Sequence, residues 1–483
     1  MGYVMKKTAK ILSTILGLFL MFFNSVLPPI MGLSPVGMSV LCIFVGTILL
    51  LTAVDLMWPV LLCILAFATN DVYTLTEALQ KSFGNHIFWF VAFVSIMLYV
   101  LREAGVLWRI STRLFKLKLV HTHPWLFLGC IFESILLIGC LLEPATLTLV
   151  YLALFEVVFE QLHIRKGDRF AELIVMGVLI FAGMSYGITP LAHPVAMVAV
   201  EVFAPLYNVG MAEYTVVGVL LGTCVVVLYM LMLRYVFRMD ISVLRNFDAS
   251  ALETGKTMSR SEKIVSLVYI VVILLWLAPT VLSGIAPQAA ELLGQFGVVG
   301  PAMAGTVVLC MVQYRGKPLA EMTEMLKKAV PWTCCLPVAA SMLLGSALTS
   351  EEVGMAHAIS TTLEPLLSGM SVPVFMVALA VFCSLFTDFT SNAISAMMTS
   401  TLCMVFIQSG LLPDLHPGAM AIVLGFSANL AFMYPAGSTY AAITSGSGWV
   451  RTSEQMKLGF IYSILPALLA CTVGYGLACI ILP

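Results

Sequence analysis

Long apolar runs separated by short polar stretches recur from one end of this chain to the other. They fall near 11–31, 37–54, 57–69, 87–101, 171–203, 214–234, 264–283, 293–313, 331–349, 418–448 and 458–482. A helix crossing a hydrocarbon core needs about 20 apolar residues, and most of these runs approach that length. Two further apolar segments, 124–162 and 373–408, are each interrupted by a polar break. The second break reads Phe389-Thr390-Ser391-Asn392-Ala393, and the first Leu141-Leu142-Glu143-Pro144-Ala145. A bilayer offers peptide groups no water, so helix-breaking sequence at that depth survives only against protein or an aqueous cavity. Paired interruptions in two halves point to a transporter's binding site.

The two halves are related by an internal repeat. Gly105-Val-Leu-Trp-Arg-Ile110-Ser111-Thr112 matches Gly354-Met-Ala-His-Ala-Ile359-Ser360-Thr361 at an offset of 249. Pro124 and Pro373 open the next apolar segments at the same offset, since 373 − 124 = 249. The offset sets Glu143 opposite Asn392 and Leu142 opposite Ser391. Pro190 and Pro435 each follow a stretch rich in small residues, 245 apart. The common order of these matches argues for duplication.

Basic residues orient the halves. Arg102, Arg109, Arg113, Lys116 and Lys118 precede the first interrupted segment, and Arg165, Lys166 and Arg169 follow it. By the excess of Lys and Arg in cytoplasmic loops, both of its ends lie inside, which makes it a re-entrant hairpin. The second is flanked by Glu351, Glu352, Glu364 and Asp414 and enters from outside. With the N-terminus cytoplasmic and the C-terminus outside, only Lys81 of 24 basic residues falls on the outer side. The chain thus divides into an N-terminal helix (1–34), a first repeat (35–239), a cytoplasmic connector (240–262) and a second repeat (263–483). The predicted fold is an all-α integral membrane protein with inverted repeats, about 11 transmembrane helices and two re-entrant hairpins. That architecture belongs to secondary transporters, with the site near the midplane.

Composition sharpens this picture. The 483 residues are 61% hydrophobic and 10% charged, against roughly 25% charged in soluble domains. The mean hydropathy is +1.04. No polar stretch is long enough for a soluble domain, and a net charge of −1 argues against a nucleic-acid partner. Lys6, Lys7 and Lys10 precede the first apolar run as in a secretory signal, but Pro28-Pro29-Ile30-Met31 offers no small-x-small cleavage site, which favours a retained helix. The 12 cysteines, the Cys334-Cys335 pair included, show no metal-ligand spacing and read as small apolar residues. A phosphate-binding Gly-x-x-x-x-Gly-Lys-[Ser/Thr] motif is absent, so this chain alone does not use ATP, and no nucleophile–base arrangement marks it as an enzyme.

The candidate chemistry sits at the breaks. Each hairpin is followed by a span interrupted by small and polar residues. The first carries Ser185, Thr189, Pro190 and His193; the second carries Ser427, Asn429, Pro435, Ala436, Gly437, Ser438 and Thr439. Proline disfavours a helical residue before it and glycine allows close backbone approach, so these broken helices (171–203 and 418–448) expose carbonyls for a cation and helix N-termini for an anion. Ser391 and Asn392 add hard oxygen ligands suited to sodium, although Ser and Asn also serve simply as interhelical hydrogen-bonding glue.

Ser391-Asn392-Ala393, in the context Thr387-Asp388-Phe389-Thr390, resembles the Ser-Asn-Thr signature of the divalent anion:sodium symporter family. The stretch 427–448, with Met433-Tyr-Pro-Ala-Gly-Ser-Thr and Gly446-Ser-Gly448, resembles that family's second broken helix. So does the connector Met258-Ser-Arg-Ser-Glu262-Lys263 ahead of a run ending Leu275-Trp276; the resemblance covers about 35–483 and is strongest in the second half. It implies a homodimer in the cell (inner) membrane, working by an elevator movement, with both hairpin tips contacting a di- or tricarboxylate or an inorganic anion. It places sodium at Ser391, Asn392, Ala436 and Ser438, and substrate at Ser391, Asn392, Ser438 and Thr439; Glu143, Thr189 and Pro190 are this chain's first-half candidates for contacting the same substrate.

The first-half signature is missing. Leu142-Glu143-Pro144 stands where the family has Ser-Asn-Thr, and Ala393 replaces the last Thr of the second tip. Glu143, Thr146 and Ser185 would form an altered first-half site. An ionisable group inside a membrane is costly and functional by default. Glu143 has three functional roles open: ligating a cation when ionised, hydrogen-bonding a carboxylate when protonated, or cycling between the two. A fourth is purely structural, capping the hairpin's backbone amides. Asp388 and His193 are further candidates for proton coupling, Glu133 is a weaker intramembrane carboxylate, and Asp55 reads as an interfacial charge. Three functions stay open: a transporter of a small organic anion driven by Na+ or H+, a cation/H+ antiporter, and a membrane receptor that binds without flux.

Overall fold

In the computed structural model, residues 2–30, 32–116, 122–191, 193–248, 258–282, 284–355, 357–358, 371–435 and 437–482 are described. Lys118, Lys256, Glu364 and the end of the repeat match at Ile359, Ser360 and Thr361 lie outside them. The chain is helical almost throughout. Helices α1 (Gly2–Phe22), α2 (Pro35–Ala53), α3 (Trp58–Thr69), α4 (Leu75–Ser82), α5 (His86–Glu103) and α6 (Val106–Phe115) lead to the first interrupted segment. That segment is the pair α7 (Pro124–Gly139) and α8 (Pro144–Gln161). The first broken span follows as α9 (Arg169–Ser185) and α10 (Pro194–Phe203), and then α11 (Met211–Leu231).

The second half opens with α12 (Arg260–Leu282), α13 (Pro287–Gln295) and α14 (Val299–Met311). A two-stranded ribbon, β1 (Gln313–Tyr314) on β2 (Lys317–Pro318), comes next, turned by Arg315 and Gly316 at φ of 53° and 79°. Helices α15 (Met322–Lys328) and α16 (Trp332–Leu348) lead to the pair α17 (Val372–Phe386) and α18 (Asn392–Gln408). The second broken span is α19 (Pro417–Ser427) and α20 (Thr439–Gly446), with α21 (Thr452–Leu469) and α22 (Tyr475–Ile481) closing the chain.

Proline explains where these helices start. It stands in the first turn of α7, α8, α10, α17 and α19, where its missing N–H costs nothing and its fixed φ suits the helix. Among the described residues six helices are long and apolar enough to cross a membrane, or up to eight if each of two sharply bent pairs is one span. The sequence expectation of about eleven counts 11–31, 57–69 and the broken spans 171–203 and 418–448 as whole runs, whereas the helices in them, such as Thr8–Phe22, α3 and α19, are short.

The two halves share one packing scheme. Helices α7 and α8 pack on α9 as α17 and α18 pack on α19. Helix α10 packs against both α18 and α19, and α20 against both α8 and α9, so each half completes the other. Every residue from Ala171 to Ser185 in α9 is buried, as is every one from Gly418 to Ser427 in α19. A helix apolar all round belongs in a core, and these two half-spans form it. Outside them, α16 packs with α2, α3, α4 and α5 as a wall that also packs against α18 and α10. Outward-facing Leu267, Ile270, Val271 and Leu274 on α12 present an apolar stripe of the kind lipid covers.

Candidate functional site

A cavity of about 440 Å3 lies where the hairpin pairs meet that wall. Its lining includes Glu143 and Thr146 from α8's start, Ser391 and Asn392 from α18's, and Ser438 and Thr439 from α20's. The sequence-predicted residues of both tips thus converge on one space. Thr189, Pro190, Ser185, His193 and Asp388 do not line it, and Ala436 lies outside the described residues.

The second tip is built by reciprocal capping. Ser391 Oγ accepts from Ile394 N at 3.2 Å, and Ser438 Oγ accepts from Ala441 N at 3.2 Å while donating to Ala431 O at 3.1 Å. Each serine is an N-cap that satisfies one amide of its helix. Asn392 is held from two sides. The Thr387 hydroxyl lies 2.9 Å from its Oδ1 and 2.8 Å from Ala428 O, and Asn392 Nδ2 donates to Asn429 Oδ1 at 3.1 Å. A cluster of neutral oxygens from Thr387, Asn392, Ala428 and Asn429 therefore gathers beside the cavity. That donor set suits a weakly polarising cation, and Thr387, Ala428 and Asn429 join the predicted Asn392 in it. Among the described residues no three His, Cys, Asp or Glu converge as a metal site.

Asp388 works one layer back. Its Oδ1 accepts from Met433 N (2.9 Å) and Tyr434 N (3.3 Å), and its Oδ2 from Ser463 Oγ (3.3 Å). The carboxylate ties the loop of the second broken span to α21, and Gly437 is pressed against it: a Cβ there would sit 3.0 Å from Asp388 O. Ser185 Oγ donates to Ala182 O (2.7 Å) behind the first tip, and Thr189 bonds Thr215 of α11 (2.8 Å). His193 Nε2–H donates to Gly139 O at 2.7 Å, and its ring packs at 4.2 Å on Tyr186, which does line the cavity.

Glu143 is the departure. It is the N-cap residue of α8, yet its side chain makes no capping bond there. It is exposed on the cavity wall, and Arg102 at the end of α5 is the charged group acting on it. Arg102, Lys328, Tyr99 and Thr333 line the same space from the opposite wall. The sequence marked Arg102 and Lys328 only as cytoplasmic charges, because nothing local to them signals a cavity whose tip residues, from Glu143 to Thr439, lie far away in the chain.

A family model described as the sodium:sulfate symporter transmembrane region matches residues 8–482. The chain belongs to the sodium:sulfate symporter family. It is accordingly a multi-pass membrane protein of a transporter family, and not one of enzymes. Within the family's reach, a sodium-dependent dicarboxylate transporter, SdcS, of Staphylococcus saprophyticus is 22% identical over 428 residues, 83% of this chain and 78% of that one. The Staphylococcus aureus SdcS is 24% identical over 287 residues, 57% of this chain and 52% of its own length. An uncharacterized transporter of Haemophilus influenzae is 30% identical over 138 residues, which span 28% of this chain and 29% of that protein. The solved structure of the Alcanivorax borkumensis YdaH transporter superposes with a TM-score of 0.54 at 14% identity, covering 85% of this chain and 89% of that one. That likeness speaks to the fold.

Proposed function

We propose that this protein is a secondary transporter of a small carboxylate-bearing anion, coupled to Na+, H+ or both, working as a homodimer by an elevator movement. The observation that carries the reading is the convergence of Glu143 and Thr146 with Ser391, Asn392, Ser438 and Thr439 on one cavity of about 440 Å3. That volume is of the size of ligand pockets generally. Half-helix N-termini aimed at a midplane cavity hold anionic groups in such folds, and unwound carbonyls beside them hold the coupling ion. In this reading Na+ sits with Ser391 and Asn392, aided by the Thr387 and Ala428 oxygens, with Ser438 on the facing loop. The substrate lies between the tips, and Arg102 and Lys328 draw anions into the opening. The packed core of α7–α10 and α17–α20, drawn from both halves, moves as carrier against the wall of α2–α5 and α16.

Uptake by purified protein in proteoliposomes tests this. Labelled succinate, citrate and aspartate are compared under an inward Na+ gradient, an inward H+ gradient and neither. Gradient-driven accumulation of at least one acid is expected. A second reading, a cation/H+ antiporter, is favoured by one feature, the uncapped carboxylate of Glu143 on the cavity wall. No acid uptake together with a pH-dye response to added Na+ would install it instead.

A further inference from the structure

Two tips with opposite electrostatic character face the cavity. At the second, α18 and α20 both begin with a serine N-cap whose hydroxyl takes the third amide of the helix, Ile394 N and Ala441 N. The first two amides of each helix, at Asn392 and Ala393 and at Thr439 and Tyr440, have no intrahelical acceptor, and all four residues line the cavity. Two positive helix ends therefore meet at one wall. At the first tip, α8 starts on Pro144, which has no N–H to offer, and the residue before it is Glu143. Its carboxylate makes no capping bond and stands on the cavity wall. Where the second tip would hold an anion, the first tip already carries one.

From this polarity we infer that the substrate is an amine-bearing carboxylate, its ammonium group paired with Glu143 and its carboxylate held by the amides at Asn392–Ala393 and Thr439–Tyr440. The inference rests on the transport reading of the same cavity and narrows its substrate class. An ammonium donates up to three hydrogen bonds to a carboxylate otherwise left without them, and charge-assisted bonds of this kind are the strong ones. A second carboxylate on the ligand, where present, finds Arg102 across the cavity. A plain dicarboxylate on the same amides and Arg102 would bring its charge beside Glu143 with no ammonium to offset it, and like charges in a confined site disfavour binding. The selectivity follows from Glu143, which an analogue lacking the amine leaves without its ammonium partner.

Aspartate and succinate differ only by the amine, so they make the matched pair. Their uptake into proteoliposomes and their thermal stabilisation of the purified protein are measured for the wild type, Glu143→Gln and Glu143→Asp. Aspartate should outcompete succinate by about tenfold or more in the wild type. Glu143→Gln should erase or reverse that preference, and Glu143→Asp should keep it in part. Should Glu143→Gln not fold, the wild-type comparison and Glu143→Asp still decide. Succinate equal to or better than aspartate in the wild type overturns the inference and leaves carboxylate transport standing. Neither acid, nor citrate, being moved or bound overturns the transport reading itself.

Discussion

Asn392 sits where the second hairpin meets the break of the second broken span, bonded to Thr387 on one side and Asn429 on the other. Replacing it by alanine removes both bonds and one oxygen of the cluster assigned to Na+. Asn392→Ala should lose about 1–2 kcal/mol of stability and, more tellingly, its Na+-stimulated uptake should drop to the Na+-free level. Full Na+ stimulation in a folded Asn392→Ala protein would remove the cation from this tip. At this scale the sequence was informative where a polar residue interrupts an apolar run. Ser391, Asn392, Glu143, Ser438 and Thr439 all stood out that way and all line the cavity. Thr189, Ser185, His193 and Asp388 were also marked, yet Thr189, His193 and Asp388 bond to neighbouring segments and Ser185 to a carbonyl of its own helix. Polarity inside a membrane needs a partner, and the sequence does not distinguish a ligand from a loop amide as that partner. Tyr99, Thr333 and Tyr186 went unnoticed because nothing in their own surroundings sets them apart.

Between residue and molecule, the breaks themselves do the positioning. The loop after α9 crosses the end of α19 so closely that a Cβ on Gly187 would lie 2.9 Å from Phe426 O and 3.2 Å from Asn429 Cβ. Both contacts are to atoms that cannot swing away, one of them backbone. Gly187→Ala should therefore cost about 1–3 kcal/mol as overpacking, seen as a lowered melting temperature of the purified protein. It should also disturb Asn429, and through it Asn392, so uptake should fall more than folded yield. An Ala variant with unchanged melting and uptake would show the crossing to be loose. Element boundaries were the most legible feature of the sequence, because proline and glycine act locally. Helices α7, α8, α10, α17 and α19 start within a residue of Pro124, Pro144, Pro194, Pro373 and Pro417. Helix lengths across the bent pairs were less legible, since the bends of 71° and 80° arise at short links that the hydropathy pattern runs straight through.

Over the whole molecule the two halves are interlocked and pinned at one end by ions. Glu172 in α9 has a fully buried side chain and takes a two-pronged bond from Arg451 beside α21, at 2.7 and 3.1 Å, with Arg169 bridging to Glu454 at 2.8 Å. Arg451→Ala leaves the buried Glu172 with only the more distant Arg169, 3.5 Å away. Its expected cost is about 2 kcal/mol, between the exposed and the buried case, read as a lower melting temperature with the Na+ dependence of uptake unchanged. Changed ion coupling would instead make this pair part of the transport cycle. The repeat was visible in the sequence, but the exchange of partners was not. That α20 completes the first half and α10 the second follows from how the halves cross, which no local pattern encodes.

The central claim is that the cavity between the two tips and the α16 wall holds the transported acid. Thr333 on that wall is exposed to the cavity and belongs to neither tip, so a thiol there reports occupancy without disturbing the ligand's partners. The decisive measurement is the rate of maleimide labelling of Thr333→Cys, above the wild-type background set by Cys334 and the other native thiols, with and without Na+ and the acid that the protein transports. The expected result is labelling that slows toward background only when acid and Na+ are present together. A Thr333→Cys protein that still transports, yet labels at the same rate under saturating acid and Na+, would place the substrate elsewhere.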